Sequence, residues 1–462
     1  MPKWTEQQQT AIEDRGHSLI VCAAAGSGKT AVLVERIVRL VREGCPIDRM
    51  LVVTFTNAAA GEMRLRIGEA LGKAAREEPA LGEQLMALPR ASISTLHRFC
   101  GNLLRENFQA LGIDPGFRIG DDQECGVLSR QAMEDAIYSC YEVGSDAFLA
   151  ADRCYAQDEL GELAFALHRF MMTRPDPWAF LERAQKGVRI DGQTLEDSPA
   201  AELLTQSARK RLLNLAKSAR RTLDICLGEN GPAHYATACE TDVRLAEDLA
   251  KQAEEGYIAL HIATHDVSFA TLGRKKKSDI FDEALADSVK ARRDAFKKAI
   301  GDVQKAFALN PDDAAADIAM TAAPLDGLAE LVKTYDTLYA AAKKQRGLLD
   351  FNDLEHGALK ALKLPEVRDA LNRQYRYVFI DEYQDSSAIQ EAIIGSFARE
   401  DGLFLVGDVK QSIYRFRQAE PTLFLEKAKR FDLEERTLER RIDLQKNFRS
   451  RANVLEAVNA VF

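Results

Sequence analysis

Apolar positions change their period several times along this chain. Between Ser18 and Ile37 an unbroken apolar run breaks into small residues, reaches Gly-Lys-Thr, and then recurs at every third and fourth place in AVLVERI. A short continuous run of that kind predicts a strand buried on both faces, and the spacing after it predicts an amphipathic helix. Runs at Leu19–Ala23, Met50–Phe55 and Ser92–Leu96 predict strands, alternating with helical stretches at Ala31–Glu43 and Ala58–Leu71. Two later β-rich runs, Tyr377–Ile380 and Leu403–Val406, each lead into acidic or glycine-containing turns and then helical pattern.

From about Asp121 to Arg346 the pattern is different. Ala, Leu, Glu, Lys and Arg dominate, apolar residues return at three and four as in LLTQSARKRLLNLAKSARRTLDICL, and convincing strand runs are absent. Breaks at 192–199, 228–232 and 273–279 mark helix ends. The expected fold class is therefore α/β, with a parallel sheet interrupted by a large, mostly α-helical insertion.

Length and charge narrow the picture further. With 462 residues the chain is long enough for two or three cores. Its eight cysteines are scattered, with no C-x-x-C pair and no histidine near enough to suggest a zinc cluster, which reads as free thiols in a reducing compartment. No apolar signal region opens the chain and no membrane-spanning run occurs, so the expectation is a soluble, cytoplasmic protein without a membrane partner. A formal charge of -9 argues against general polyanion binding, while leaving room for a local basic groove.

Three stretches carry the chemistry. AAAGSGKT, from Ala23 through Ala24, Ala25, Gly26, Ser27, Gly28 and Lys29 to Thr30, fits a phosphate cradle with alanine in place of the first glycine. Small residues let phosphate approach inward-facing N–H groups, the helix start adds partial positive charge, Lys29 reaches the β- and γ-phosphates, and Thr30 holds Mg²⁺. YVFIDEYQDSSAIQ places Asp381 and Glu382 past the end of a strand, where one carboxylate holds metal and the other orients or deprotonates water. With Glu382 as base, the site is a hydrolase. LFLVGDVKQSIYRFRQAEP offers Gln411 to a γ-phosphate, and then interleaves Tyr414, Arg415, Phe416 and Arg417 in the manner of a platform for single-stranded bases.

Taken together, these stretches resemble the superfamily 1A helicases of the UvrD/Rep kind, and within them the AddA branch of helicase-nucleases. TEQQQTAI is similar to the Q motif, VVTFTNAAAGEMRLRI to motif Ia, STLHRFC to motif Ib, and LQKNFRSR to motif IV. The three stretches above stand as motifs I, II and III, and LLDFNDLEHGAL is AddA-like in wording. The resemblance implies a RecA-like P-loop NTPase lobe using ATP and Mg²⁺, with Gln8 reading adenine, Phe448 packed against it and Arg449 on the γ-phosphate. It also implies a single-strand path over Phe55, Thr56, Asn57, Thr95 and His97, joined by Tyr414, Phe416 and Arg417. Ala31 departs from the family, where many members have an arginine that stacks on adenine.

Implied partners are single-stranded and duplex DNA and a second, AddB-like helicase-nuclease subunit. The implied work is 3′-to-5′ travel on DNA during double-strand-break repair. A repair helicase without nuclease, a P-loop enzyme or module that does not act on DNA, and a non-hydrolysing scaffold are the competing readings. The expected organisation is a first motor lobe over 1–120 and 347–435, a helical insertion over 121–346, and the opening of a second lobe over 436–462. Motifs V and VI and a nuclease domain do not occur in these residues, so the 462 residues alone are expected to bind nucleotide with little turnover. The lysine-rich LGRKKKSD, 272–279, reads either as a solvated turn or as a contact for duplex phosphates, and Asp353 and Glu355 read as an acidic helix start or a metal site.

Overall fold

In the computed structural model the described residues are 4–190, 194–276, 280–415, 419–433 and 437–461. They divide into two compact units: Met1–Ala136 with Phe165–Pro177 and Tyr335–Phe462, and Ile137–Ala164 with Trp178–Thr334. Among them no helix is long and apolar enough to cross a membrane. The eight cysteines are free thiols.

The first unit is built on a parallel sheet. Its strands are β1 (Ser18–Ala23), β2 (Met50–Thr54), β3 (Ser92–Thr95), β6 (Tyr377–Ile380), β7 (Leu403–Gly407) and β8 (Glu439–Leu444), in the spatial order β3-β2-β6-β7-β1-β8. A separate two-residue ladder pairs β4 (Arg118–Ile119) with β5 (Leu348–Leu349). The five predicted strands lie where the apolar runs place them. Their alternate residues enter two cores: Leu19, Val21, Val52, Phe379 and Phe404 face one way, and Ile20, Leu51, Val53, Val378 and Leu405 the other. Burial on both faces is why these strands read as unbroken apolar runs.

Helices cover both faces. Lys29–Arg42 and Asn57–Glu77 pack on the first core, and Leu96–Glu106, Phe351–Leu362 and Ala388–Phe397 on the second. Arg36 is an exception to apolar filling. It is 1% exposed, donates from Nη1 to Ala11 O at 2.8 Å and lies over the Phe404 ring, and burial lowers its pKa to about 10. It thereby ties the helix Glu6–Glu13 to the sheet.

β8 does not read as a strand in sequence, because ERRIDL mixes charges into the run. Its pairing with β1 runs from Ser18↔Glu439 to Ala23↔Leu444, so part of the segment expected to open a second lobe completes this sheet. Arg440 is neutralised by Asp14 and Arg441 by Asp443, which lets a charged strand close the edge.

The second unit is helical. Its core gathers Leu212, Ala246, Leu249, Leu260, Phe296 and Ile300, largely from the helices Pro199–Leu227, Ala236–Glu255 and Glu283–Ala306. A buried Arg293–Asp242 pair at 2.6 Å joins two of these helices. This is the period-3.6 pattern of the sequence, packed as bundle helices pack.

Candidate active site

All six strands are parallel, so their carboxyl ends lie along one edge of the sheet, where α/β folds place their ligands. β1 delivers the cradle to that edge. Gly26 and Gly28 have φ of +72° and +84°, conformations open to glycine, and the helix Lys29–Arg42 begins at Gly28 without a side-chain cap. Ser27 is 1% exposed, and its hydroxyl has no hydrogen-bond partner among the described residues. An uncapped helix start beside an orphaned buried hydroxyl fits the phosphates of a nucleotide.

The cradle is held from two sides. Gln8 Nε2 donates to Ser27 O at 2.9 Å, while Gln8 Oε1 accepts from Thr5 N in a capping box. Gln8 is therefore engaged at both ends of its amide and is 5% exposed. From the other side, Ala24 N donates to Leu444 O at 3.1 Å, Asn447 Nδ2 to Ala25 O at 2.8 Å and Phe448 N to Gly26 O at 2.9 Å. Ala23 is the buried last residue of β1. Phe448 is half exposed, with Lys446 over its ring, and Arg449 follows with its own N–H bonded to Asn447 Oδ1.

β6 brings the acids to the same place. Lys29 Nζ lies 2.9 and 3.2 Å from the two carboxylate oxygens of Glu382, although 353 positions separate them in the chain. Asp381 accepts from the Glu382 N–H at 3.1 Å. Burial pushes the Asp381 carboxyl up to about 6; the Glu382 charge adds to the shift and Lys29 opposes it. Glu382 has φ +54°, ψ +44°, a left-handed conformation costing a non-glycine residue on the order of 1–3 kcal/mol. Thr30 sits in the first turn of the cradle helix, half-buried. A hydroxyl and a carboxylate at a phosphate site suit Mg²⁺, which needs few protein oxygens. No cluster of three or more His, Cys, Asp or Glu suited to a metal occurs among the described residues.

Gln411 joins this group through intermediates. Its Nε2 donates to Asp408 Oδ2 at 2.7 Å; the Asp408 N–H donates to Gln384 Oε1 at 2.9 Å; and Gln384 Nε2 donates to Glu382 Oε2 at 2.8 Å. Lys29, Glu382, Gln384, Asp408 and Gln411 thus form one hydrogen-bonded chain. Gln384 and Asp408 stand inside the motifs without a role assigned from sequence, and Asn447 is a site residue that motif reading passed over. Their signal lay beside motif residues, in D-E-Y-Q, G-D-V and K-N-F.

Along the same edge lie the residues expected on a single-strand path. Phe55, just past β2, and Tyr414 bring their ring centroids to 4.5 Å. Thr56 and Thr95 are N-caps, their hydroxyls accepting from Ala59 N and Arg98 N, and Asn57 is exposed at a helix start. His97 Nε2 lies 3.0 Å from Glu355 Oε1, and its ring is 4.5 Å from that of Phe351, which is exposed. Phe351 is an aromatic face the sequence reading missed. Phe416 and Arg417 fall outside the described residues.

The acidic helix start accounts for Asp353, which shares a capping box with Asp350, and for Glu355, which also accepts from Gln390. In the lysine-rich loop Lys275 pairs with Glu283 at 3.0 Å; Lys277, Ser278 and Asp279 lie outside the described residues.

This geometry is that of a parallel α/β sheet with a phosphate-cradle loop at its carboxyl edge, and comparison with known proteins gives it a family. The UvrD/REP helicase N-terminal domain matches residues 4–432, and the chain belongs to that family. Among its relatives, an ATP-dependent helicase/nuclease subunit from Syntrophomonas wolfei is 40% identical over 470 residues, covering 100% of this chain and 38% of that protein. Proteins of the same name from Alkaliphilus oremlandii and Geobacillus kaustophilus are each 39% identical, again over 100% of this chain and 39% of their own length. The chain therefore spans less than two-fifths of the curated relatives it matches.

Proposed function

We propose that these residues form the first lobe of an ATP-driven DNA motor, and that the protein carrying them acts as the AddA-type subunit of a helicase-nuclease in double-strand-break repair. Under this reading the sheet-bearing unit, with β8 as its edge strand, makes the motor lobe, the helical insertion occupies most of 121–346, and a second lobe follows β8. Travel is 3′-to-5′, on single-stranded DNA drawn from duplex, beside an AddB-like partner. The names of the relatives support the helicase-nuclease assignment.

One observation carries the proposal. The hydrogen-bonded chain from Lys29 to Gln411 ends three residues before Tyr414, whose ring meets Phe55. One short segment, 408–414, thus reaches both a phosphate site and a pair of aromatic faces suited to base stacking.

The residues divide the work in stages. Lys29 and Glu382 neutralise one another in this structure, and phosphates entering the cradle compete for the lysine. That competition frees the Glu382 carboxylate to take a proton from water. Thr30 and Asp381 would hold Mg²⁺, which supplies Lewis-acid polarisation of phosphoryl oxygens. Asp381 gives up its proton more readily beside a cation. Gln411 offers an uncharged donor on the γ-phosphate side, and Arg449 a positive charge suited to developing phosphoryl charge.

The test is ATP hydrolysis by the full-length protein with and without single-stranded oligo(dT). The expected result is a rate raised at least tenfold by DNA; a rate indifferent to DNA at saturating ATP would favour a P-loop enzyme of another kind.

A further inference from the structure

Gln384 is 2% exposed, and its amide is divided between two strand ends. Nε2 donates to Glu382 Oε2 at 2.8 Å and to Asp385 Oδ2 at 3.2 Å, and Oε1 accepts from the Asp408 N–H at 2.9 Å. The amide fits because Gly407 leaves space; a Cβ there would lie 2.2 Å from Gln384 Oε1. A second bond, Glu420 N to Ser386 O at 3.0 Å, ties the same two segments together.

The Glu382 side chain is 36% exposed, and its carboxylate has two side-chain partners among the described residues, Lys29 and Gln384. On the functional reading above, on which this inference rests, nucleotide draws Lys29 away. Gln384 then remains to fix the direction of the carboxylate. The other end of its amide rests on Asp408, which also holds Gln411 and opens the segment reaching Tyr414. A buried amide that bridges two partners couples their positions, because a shift of the Asp408 N–H at one end moves the rigid group that donates to Glu382 at the other.

The geometry points to Gln384 as a positioning residue that aims the Glu382 carboxylate and makes that aim depend on where the 408–414 segment sits. DNA held by that segment would thereby set the rate of proton transfer at Glu382, with Gln384 touching neither DNA nor nucleotide.

The experiment uses the full-length protein with Gln384→Met, which keeps length and volume and removes all three side-chain hydrogen bonds. ATP affinity, read with a fluorescent analogue, is expected to stay within about threefold of wild type. The oligo(dT)-stimulated kcat is expected to fall by about 10- to 100-fold, the range seen when groups that orient a catalytic residue are removed, with little change in KM. The degree of stimulation by DNA falls with it. In the double variant with Glu382→Gln, Gln384→Met is expected to add no further loss. Wild-type turnover and stimulation in Gln384→Met, with Glu382→Gln inactive, would overturn this inference alone. Loss of ATP affinity together with kcat would make Gln384 a folding residue and overturn it as well. Turnover that survives Glu382→Gln would remove the functional reading itself, and this inference with it.

Discussion

Gly26 shows how tightly individual residues are specified at the cradle. A Cβ there would lie 2.8 Å from Arg449 Cβ and 2.9 Å from Asn447 Oδ1, on a backbone with φ +72°. Gly26→Ala is therefore expected to displace the 447–449 segment and weaken ATP binding at least tenfold, measured by equilibrium titration, while the sheet beneath keeps its melting temperature within a few degrees. The cradle itself was legible in the sequence, because AGSGKT after an apolar run constrains backbone and charge together. The bonds that complete it were not. Gln8 and Asn447 reach Ser27 O and Ala25 O across 19 and 422 positions, and no local spacing encodes a side-chain amide meeting a distant carbonyl.

Among the elements, the helix Phe351–Leu362 begins on a cluster of opposed charges. Lys343 Nζ lies 2.7 Å from Asp350 and 2.6 Å from Asp353, itself buried to 5% exposure. Two carboxylates share one ammonium. Burial and the Asp350 charge raise the Asp353 pKa to about 6, whereas at Asp350 burial is outweighed by Lys343 together with hydrogen bonds from the Asp353 N–H and Tyr339, which hold it below the usual range. The folded state thus binds a proton at Asp353 more tightly than the unfolded chain does. That contribution to stability is present at low pH and is lost as pH rises through about 6. Asp353→Asn is neutral at every pH, so its melting temperature relative to wild type is expected to rise between about pH 4 and about pH 6 and to level off above that. The gain is at most about 3 kcal/mol for a shift of this size. A difference that is flat or falls across that range, followed by calorimetry, would contradict the assignment. The sequence showed this helix start as acidic without showing that Lys343 answers it. Short or charged elements were hidden for related reasons: β4 and β5 have two residues each, too few for a period, and β8 carries charges that find partners only in the fold.

Over the whole molecule, the sheet collapses sequence distance. A helical stretch of more than two hundred residues lies between β3 and β6, yet both flank β2. The α/β pattern and the helical insertion were readable because buried strands and amphipathic helices differ in period. Strand order was not readable, since it depends on which apolar faces find one another. That order is what sets Lys29 against Glu382 and puts Asp381, Gln384 and Asp408 on one edge.

Convergence of these groups on one triphosphate is tested most directly by Glu382→Gln in the full-length protein, following bound ATP through a single turnover in the presence of oligo(dT). ATP is expected to stay bound as tightly as in wild type or more so, because Lys29 loses its competing carboxylate, while hydrolysis slows by about 10²- to 10⁴-fold, the usual contribution of a general base. Hydrolysis at the wild-type rate, or loss of ATP binding in this variant, would contradict that convergence.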